Sequence, residues 1–396
     1  MSLSITKLKR LLIKMQTQKF KRTEIGEIPE EWDVINLASI GKISSCKRIF
    51  KYQTSLMGDI PFYKIGTFGK EADAYISNEV YNEYKKKYSF PKKGEVLISA
   101  SGTIGRTVIY DGSPAYFQDS NIIWIENNEK VVKNIFLFYY YKILKWLTED
   151  TTISRLYNDN LKKILIPVPP SEEQKAISHV LSDIDTLIGS IDKLIEKKKN
   201  IKQGAMQELL TGKKRLAGFK GEWQVKKLSE ILKYEQPVKY IVKSVQYNDG
   251  HDTPVLTANK AFILGYTHET EGIFNNVPAI IFDDFTLDNK YVTFPFKVKS
   301  SAIKILKISD NQSDLRFMFK RIQLIKVPLG DHKRYYISEY QHLELPIPSS
   351  EEQTSIAQIL SDMDAEIEEL EQKRDKVKLL KNGMMQQLLT GRIRLK

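Results

Sequence analysis

Cysteine is almost missing from this chain: its 396 residues include one, Cys46. That excludes an internal disulfide and a cysteine-based zinc site, and it fits a reducing cytoplasm of prokaryotic type. Histidine is scarce as well. His179, His251, His268, His332 and His342 show no metal spacing such as His-Glu-x2-His. No apolar run approaches the roughly 18–20 residues that span a bilayer, so no membrane is expected among the partners. The basic opening MSLSITKLKRLLIKMQTQKF has no long apolar core and no small-residue cleavage site. It reads as an amphipathic helix over 1–21, with Leu8, Leu11, Leu12 and Met15 on one face. There is no Gly-x4-Gly-Lys-Ser/Thr loop to cradle a nucleotide phosphate. The Asn/Asp-Pro-Pro-Tyr/Phe motif of amino-methyltransferases is missing too, since Pro167–Pro170 lacks its polar and aromatic ends. No catalytic constellation is left, and no bound cofactor or metal is expected.

What is abundant is positive charge, +12 over the chain. A basic excess points to a polyanionic partner. Its location narrows the reading: +6 over 1–21, +2 over 22–165, −1 over 166–211, +6 over 212–344 and −1 over 345–396. The two neutral blocks are copies of each other. Pro167–Leu216 aligns without a gap on Pro346–Leu395, 179 residues later, with 24 identities in 50 positions. A domain-sized period predicts two similar domains rather than a solenoid.

Each copy opens on prolines, which keep the chain extended. Ser171 or Ser350 then caps a helix whose first turn carries Glu172 and Glu173, or Glu351 and Glu352. In copy one Ile177, Val180, Ile184, Leu187, Ile191, Leu194, Ile201 and Ala205 follow in steps of three and four, broken only by Lys198. Leu181, Ile188 and Ile195 widen the stripe. Copy two has Ile356, Ile359, Leu360, Met363, Ile367, Leu370, Val377, Leu380 and Met384, interrupted by Glu366 and Lys373. Each ends in LLTG, with Gly212 or Gly391 as a stop. Helices from Ser171 and Ser350 would each run ~60 Å, and the simplest burial for their stripes is against one another, as an antiparallel coiled coil.

The blocks 22–165 and 212–344 share a Trp-x4-Leu entry, Trp32 with Leu37 and Trp223 with Leu228. Strand signals then dominate: EVLISA, RTVIY and NIIWI in the first, PVLTA, AIIFDDF, YVTFPFKV and AIKILKI in the second. The expected fold is mixed α/β. Two similar domains with twisted sheets sit at 22–165 and 212–344, separated by the helix blocks 166–211 and 345–396 in a pseudo-two-fold arrangement.

SASGTIGRTVIYDG (Ser99–Gly112) has two readings. One is a tight turn between strands, with Gly102 and Gly105 supplying positive φ. The other is an approach to a phosphate or base edge, with Ser101, Thr103 and Arg106 as donors. Gln118, Ser120 and Asn121 follow in YFQDSNIIWI. Amides suit adenine and Arg suits guanine. The second block offers Thr257, Asn259, Lys260 and Tyr266, then Lys297, Lys299, Ser300 and Ser301. Asp283 and Asp284 either accept from cytosine or cap a turn. A self-sufficient DNA enzyme and a protein-only coiled-coil scaffold are the rival readings.

The paired PxPxSEEQ…ILSDxD…LLTG helices, the IGEIPEEW entry and the SGTIGR…AYFQDSNIIWI stretch resemble, over essentially the whole chain, the specificity subunit of type I restriction-modification enzymes. The resemblance implies two target-recognition domains, each reading one half of a split, asymmetric site in double-stranded DNA. It implies helices that set the unread spacer and dock two modification (methyltransferase) subunits, with Glu172, Glu173, Gln174, Ile177, Leu181, Ile184, Glu351, Glu352, Gln353, Ile356 and Leu360 as frame and docking residues. Two restriction subunits would join that core. S-adenosylmethionine, ATP and Mg2+ would belong to those partners, and this chain would be non-catalytic.

Overall fold

A computed structural model describes residues 19–146, 156, 160–161, 163–258, 261–326 and 334–395. The N-terminal helix expected over 1–21 lies outside them up to residue 18. Its last two residues are not helical: Phe20 and Lys21 begin a strand. Asn259 and Lys260 also lie outside the described residues.

The chain forms two compact units, Met1–Ser190 with Arg374–Lys396, and Ile191–Lys373. Unit one contains β1 (Phe20–Thr23), β2 (Gly26–Pro29), β3 (Asp33–Asn36), β4 (Gly41–Ser45), β5 (Ile60–Tyr63), β6 (Tyr75–Ile76), α1 (Asn78–Lys87), β7 (Val96–Ser99), β8 (Thr107–Ile109), β9 (Tyr116–Phe117), β10 (Ile122–Asn127), α2 (Asn134–Tyr140), β11 (Leu165–Val168) and the start of α3 (Ser171–Leu209). Unit two contains β12 (Gln224–Lys227), α4 (Leu228–Ile231), β13 (Leu232–Glu235), β14 (Thr253–Leu256), β15 (Ile263–Thr267), β16 (Ala279–Asp283), β17 (Asn289–Val292), β18 (Lys297–Val298), β19 (Ile303–Ile308), α5 (Leu315–Ile322), α6 (Tyr335–Ser338), β20 (Glu344–Ile347) and the start of α7 (Ser350–Leu388). The blocks 166–211 and 345–396 therefore do not stand apart as domains. Each unit takes a piece of both 39-residue helices.

Topology repeats between the units. The order β4-β10-β7-β8 in the first becomes β13-β19-β16-β17 in the second, and β6-β5-β9 becomes β15-β14-β18. In both three-stranded sheets one pair is parallel, β5 with β9 and β14 with β18. The four-stranded sheets are covered on both faces. In β10, Ile123 and Ile125 enter one apolar cluster while Ile122 and Trp124 enter the other. In β16, Ile280 and Phe282 point one way and Ala279 and Ile281 the other. That double burial is why these strands read as unbroken apolar runs rather than alternating ones.

The helices explain the repeated sequence. In unit one Ile177, Leu181, Ile184 and the partly buried Ile188 join Met384, Met385, Leu388 and Leu389 of α7 in the core. In unit two Ile356, Ala357 and Leu360 of α7 join Met206 and Leu209 of α3. Rising numbers on one helix meet falling numbers on the other, so the packing within each unit is antiparallel. The buried row is shifted by one residue from the expected one. Leu187, Leu194 and Ile201 are exposed, whereas Ile191 and Ile195 are buried. Lys198 and Lys202 fall on the continuation of the buried row, where they pair with Glu366 and Asp364.

The same ion pair forms in each unit from repeated residues: Lys381 with Asp185, and Lys202 with Asp364. In unit one the Tyr139 hydroxyl also donates to Asp185, at 2.9 Å. In unit two Lys320 takes that role on Asp364. Burial alone would raise the Asp364 pKa, but the hydrogen bonds from Lys202 and Lys320 outweigh it and hold the carboxyl below its usual range. A depressed carboxyl stabilises the fold above its unfolded pKa of ~4, and that stability is lost as pH falls through the lower folded value. Asp364→Asn is therefore expected to cost about 1 kcal/mol near neutrality, a modest figure for a partly exposed group. Melting curves of variant and wild type should converge as pH drops from about 5 towards about 2. A gap that stays constant with pH would contradict this.

Candidate nucleic-acid interface

Two of the sequence motifs meet in unit one. Ser101 Oγ donates to Asn121 Oδ1 at 2.9 Å, and the Ala100 amide donates to the Asn121 carbonyl at 2.7 Å. The SGTIGR segment is a turn between β7 and β8, closed by the Gly105 amide on the Ser99 carbonyl. Gly102 and Gly105 have φ of +63° and +82°, and a Cβ on Gly105 would lie 2.0 Å from the Trp146 ring nitrogen. Only glycine fits there. The turn reading thus holds for the glycines.

The polar side chains around the turn are largely engaged within the unit. Arg106 donates from Nη1 to the Phe68 carbonyl at 3.0 Å, and its amide donates to Ser99 Oγ. Gln118 Oε1 accepts from the Ile65 amide at 2.9 Å. Ser120 holds φ +52°. Thr103 has an exposed side chain, and its carbonyl accepts from Ser99 Oγ. The loops at 64–70, 99–106 and 118–121 are therefore cross-braced into one preorganised polar face. Its basic rim includes Arg48, 61% exposed and 2.9 Å from Asp119, and Lys64, 2.7 Å from Asp73. Sequence reasoning passed over the segment 47–58 beside this face. The signal was present: Lys47, Arg48 and Lys51 interleave with apolar residues that follow neither strand nor helix period.

In unit two the expected residues divide. Lys297 is buried, with Nζ donating to the carbonyls of Glu271 and Gly272 at 2.6 and 3.2 Å and paired with Glu269 at 3.1 Å. Its charge is consumed inside the head and is not offered to a ligand. Thr257 is buried. Tyr266 lies in β15, opposite Pro254 of β14. Ser300 Oγ accepts from the Ala302 amide. Lys299 and Ser301 are exposed, and Lys299 stands over the Tyr247 ring at 5.5 Å. Asp283 caps a turn by accepting from the Phe285 and Thr286 amides. Asp284 accepts from the Tyr336 amide and faces Lys304 at 3.5 Å.

The SEEQ motifs hold each head on its helix. Trp32 Nε1 donates to Glu173 at 3.0 Å, and Arg394 clasps the same carboxylate at 2.5 and 2.6 Å. In unit two Trp223 and Arg215 do the same to Glu352, at 3.2 Å and at 2.7 and 2.6 Å. Gln174 Oε1 accepts from the Lys133 amide, the residue that opens α2. Gln353 Oε1 accepts from the Asp314 amide, which opens α5. Glu173, Gln174, Glu352, Gln353, Ile177, Leu181, Ile184, Ile356 and Leu360 are all buried. They frame the units and are not a docking surface; of the expected docking residues only Glu172 and Glu351 are exposed.

Among the described residues no group of three or more His, Cys, Asp or Glu is placed to hold a metal. Burial pushes the Cys46 thiol up to about 12, which leaves it protonated and inert. No helix among the described residues is long and apolar enough to cross a membrane.

The type I restriction modification DNA specificity domain matches this chain twice, at residues 29–202 and 220–379. A putative type I restriction enzyme specificity subunit of Haemophilus influenzae is 56% identical over 182 residues, 46% of this chain and 47% of its own length. The EcoR124I/EcoR124II specificity subunit of Escherichia coli is 47% identical over 148 residues, 36% of each chain. These two matches thus span half or less of those relatives. The putative MjaX specificity subunit of Methanocaldococcus jannaschii is 27% identical over 418 residues, covering 96% of this chain and 97% of its own. The fold is similar to a crystal structure of a type I restriction-modification S subunit from M. genitalium, with a TM-score of 0.61 at 15% identity over 94% of this chain and 99% of that one.

Proposed function

This chain belongs to the type I restriction modification DNA specificity family, and from that membership we propose that it is the non-catalytic DNA-reading subunit of a type I restriction-modification enzyme, each unit reading one half of a split, asymmetric site. The observation that carries this reading is the repetition of one topology with different polar side chains on it. Ser101, Arg106, Gln118 and Asn121 belong to one unit; Thr257, Tyr266, Lys299 and Ser301 belong to the other. A common frame with two unlike faces suits an asymmetric site, whereas a symmetric dimer reads a palindrome. Exposed Lys and Arg would hold each face on phosphates, and loop side chains would discriminate bases at ~1–3 kcal/mol per bidentate pair.

The modification subunits need a surface, and the buried SEEQ residues do not supply one. Ile201 and Leu380 do. They occupy equivalent positions in the repeat and are 47% and 39% exposed. Ile201 lies with Lys193, Glu196, Lys197 and Asn200 along an open concavity of unit two. Two equivalent apolar positions suit two copies of one partner. S-adenosylmethionine, ATP and Mg2+ would be held by the partner subunits, since neither unit has a phosphate loop or a metal cluster among the described residues.

A gel shift in graded salt tests the proposal. The chain with its modification subunits should prefer one bipartite site, and log affinity should fall steeply and linearly with log salt. The chain alone should neither cut nor methylate. Ile201→Asp and Leu380→Asp should each remove part of the affinity gained by adding modification subunits. Salt-independent binding without site preference would support the protein-only scaffold instead.

A further inference from the structure

The most exposed apolar side chains of unit one stand together on a single loop. Tyr52, Leu56 and Met57 are 83%, 84% and 86% exposed. The loop is not loosely held. The Thr54 amide and hydroxyl both donate to the Lys51 carbonyl, at 3.1 and 2.8 Å. Gln53 accepts from the Phe50 amide and donates to the Tyr84 hydroxyl. Ser55 exchanges backbone bonds with Tyr75 in both directions, at 3.0 and 2.9 Å. The Phe50 and Tyr52 rings stack at 5.8 Å and 8°. The backbone is pinned while its apolar tips bury nothing of their own head. Such a shape is complete only with something against it.

Charge identifies the occupant. Lys47, Arg48 and Lys51 flank the tips, and no acidic residue occurs from 47 to 58. The base of the hook is tied to the polar face: Arg48 binds Asp119, and the Tyr116 hydroxyl donates to the Lys47 carbonyl at 3.0 Å. Unit two repeats the device after the first strand of its own four-stranded sheet. There Val238 and Val245 are 69% and 76% exposed beside Lys239 and Lys243. Lys and Arg at this place would seat on phosphates. Leucine and methionine have no hydrogen bonds to give a base edge, so their favourable place in a duplex is between unstacked base pairs.

We infer that the Lys47–Met57 hook is an apolar wedge that enters a base step of the first unit's half-site and opens the stack there. This rests on the DNA-reading proposal. The test uses the chain assembled with its modification subunits on duplexes carrying its methylated site. 2-Aminopurine is placed in turn at each position of that half-site other than the methylated adenine. Wild type should raise the fluorescence several-fold at one step. The variant Tyr52→Ser, Leu56→Ser, Met57→Ser should lose that rise, bind about tenfold or more weakly, the scale of one lost base–aromatic stack, and keep the same half-site sequence. Because these side chains pack on nothing in the head, its melting temperature should not move.

Tight site-specific binding by wild type with no fluorescence rise at any position would overturn the wedge and leave base reading intact. An absence of site preference would overturn both. A triple variant that opens the stack as wild type does would also defeat the inference. So would one that fails to assemble with modification subunits yet binds DNA normally, which would assign the hook to a protein contact.

Discussion

Arg394→Ala, three residues from the end of the chain, is expected to lower the melting temperature of unit one by about 6–12 °C. Glu173 is 5% exposed, and three donors hold it: Arg394 Nε and Nη2 and Trp32 Nε1. Arg394 also reaches Glu31 at 2.8 Å, and its guanidinium lies 5.7 Å from the Trp32 ring. Gly391, at φ +71°, makes the turn after α7 possible, since a Cβ there would sit 2.5 Å from Pro29. Removing the arginine leaves a buried carboxylate with only an indole to satisfy it. Stranding one partner of a buried pair costs ~3 kcal/mol or more. For a unit of about 200 residues each kcal/mol moves the transition by about 2–4 °C. Glu173→Gln in the Arg394→Ala background should recover part of the loss, because the amide oxygen still accepts from Trp32 and carries no charge. Scanning calorimetry should show the transition of unit two unmoved. A shift below about 2 °C would show that the carboxylate finds another partner.

Four residues inserted between Ser190 and Ile191, matched by four between Lys373 and Arg374, are expected to lengthen the spacer of the DNA site by one or two base pairs. Both half-site sequences should remain. Each unit holds a piece of both helices and closes its own cross-helix pairs, Asp185 with Lys381 in one and Lys198 with Glu366 in the other. An insertion in α3 alone would force one set of pairs out of register, so the two insertions must match. Four residues add ~6 Å and ~40° of rotation to a helix. Duplex DNA rises ~3.4 Å per base pair, so full transmission is worth at most about two base pairs. Matched two-residue insertions add roughly half a turn and should abolish recognition. An unchanged spacer in the four-residue variant would mean that the helices do not set it. Altered half-sites would mean that they take part in reading.

Much of the frame was legible because its cause is local. Strands buried on both faces read as apolar runs, the Trp-x4-Leu entries mark the start of each head, and the repeated SEEQ and LLTG segments mark both helices. What stayed hidden depended on partners distant in sequence. Two apolar rows, one residue apart, run along α3, and only the packing decides that Ile188 and Ile195 turn inward while Leu187 and Leu194 stay in water. Glu173 reads as a first-turn acid until Trp32 and Arg394, 141 and 221 residues away, close on it. Lys297 reads as a surface charge until Glu269 and two carbonyls bury it. The polar face of unit one was found through its glycines and amides. The hook beside it was missed because exposed apolar residues carry no periodic signal.

Sequencing the methylated bases of cells that carry this chain with its modification subunits, against cells lacking it, tests the central claim most directly. The account predicts methylation confined to one sequence with two specified parts, unlike one another, separated by a spacer of fixed length and free composition. Each part should be lost separately when the loops of one unit are exchanged for those of a relative. A palindromic or continuous site, or methylation that does not depend on this chain, would contradict it.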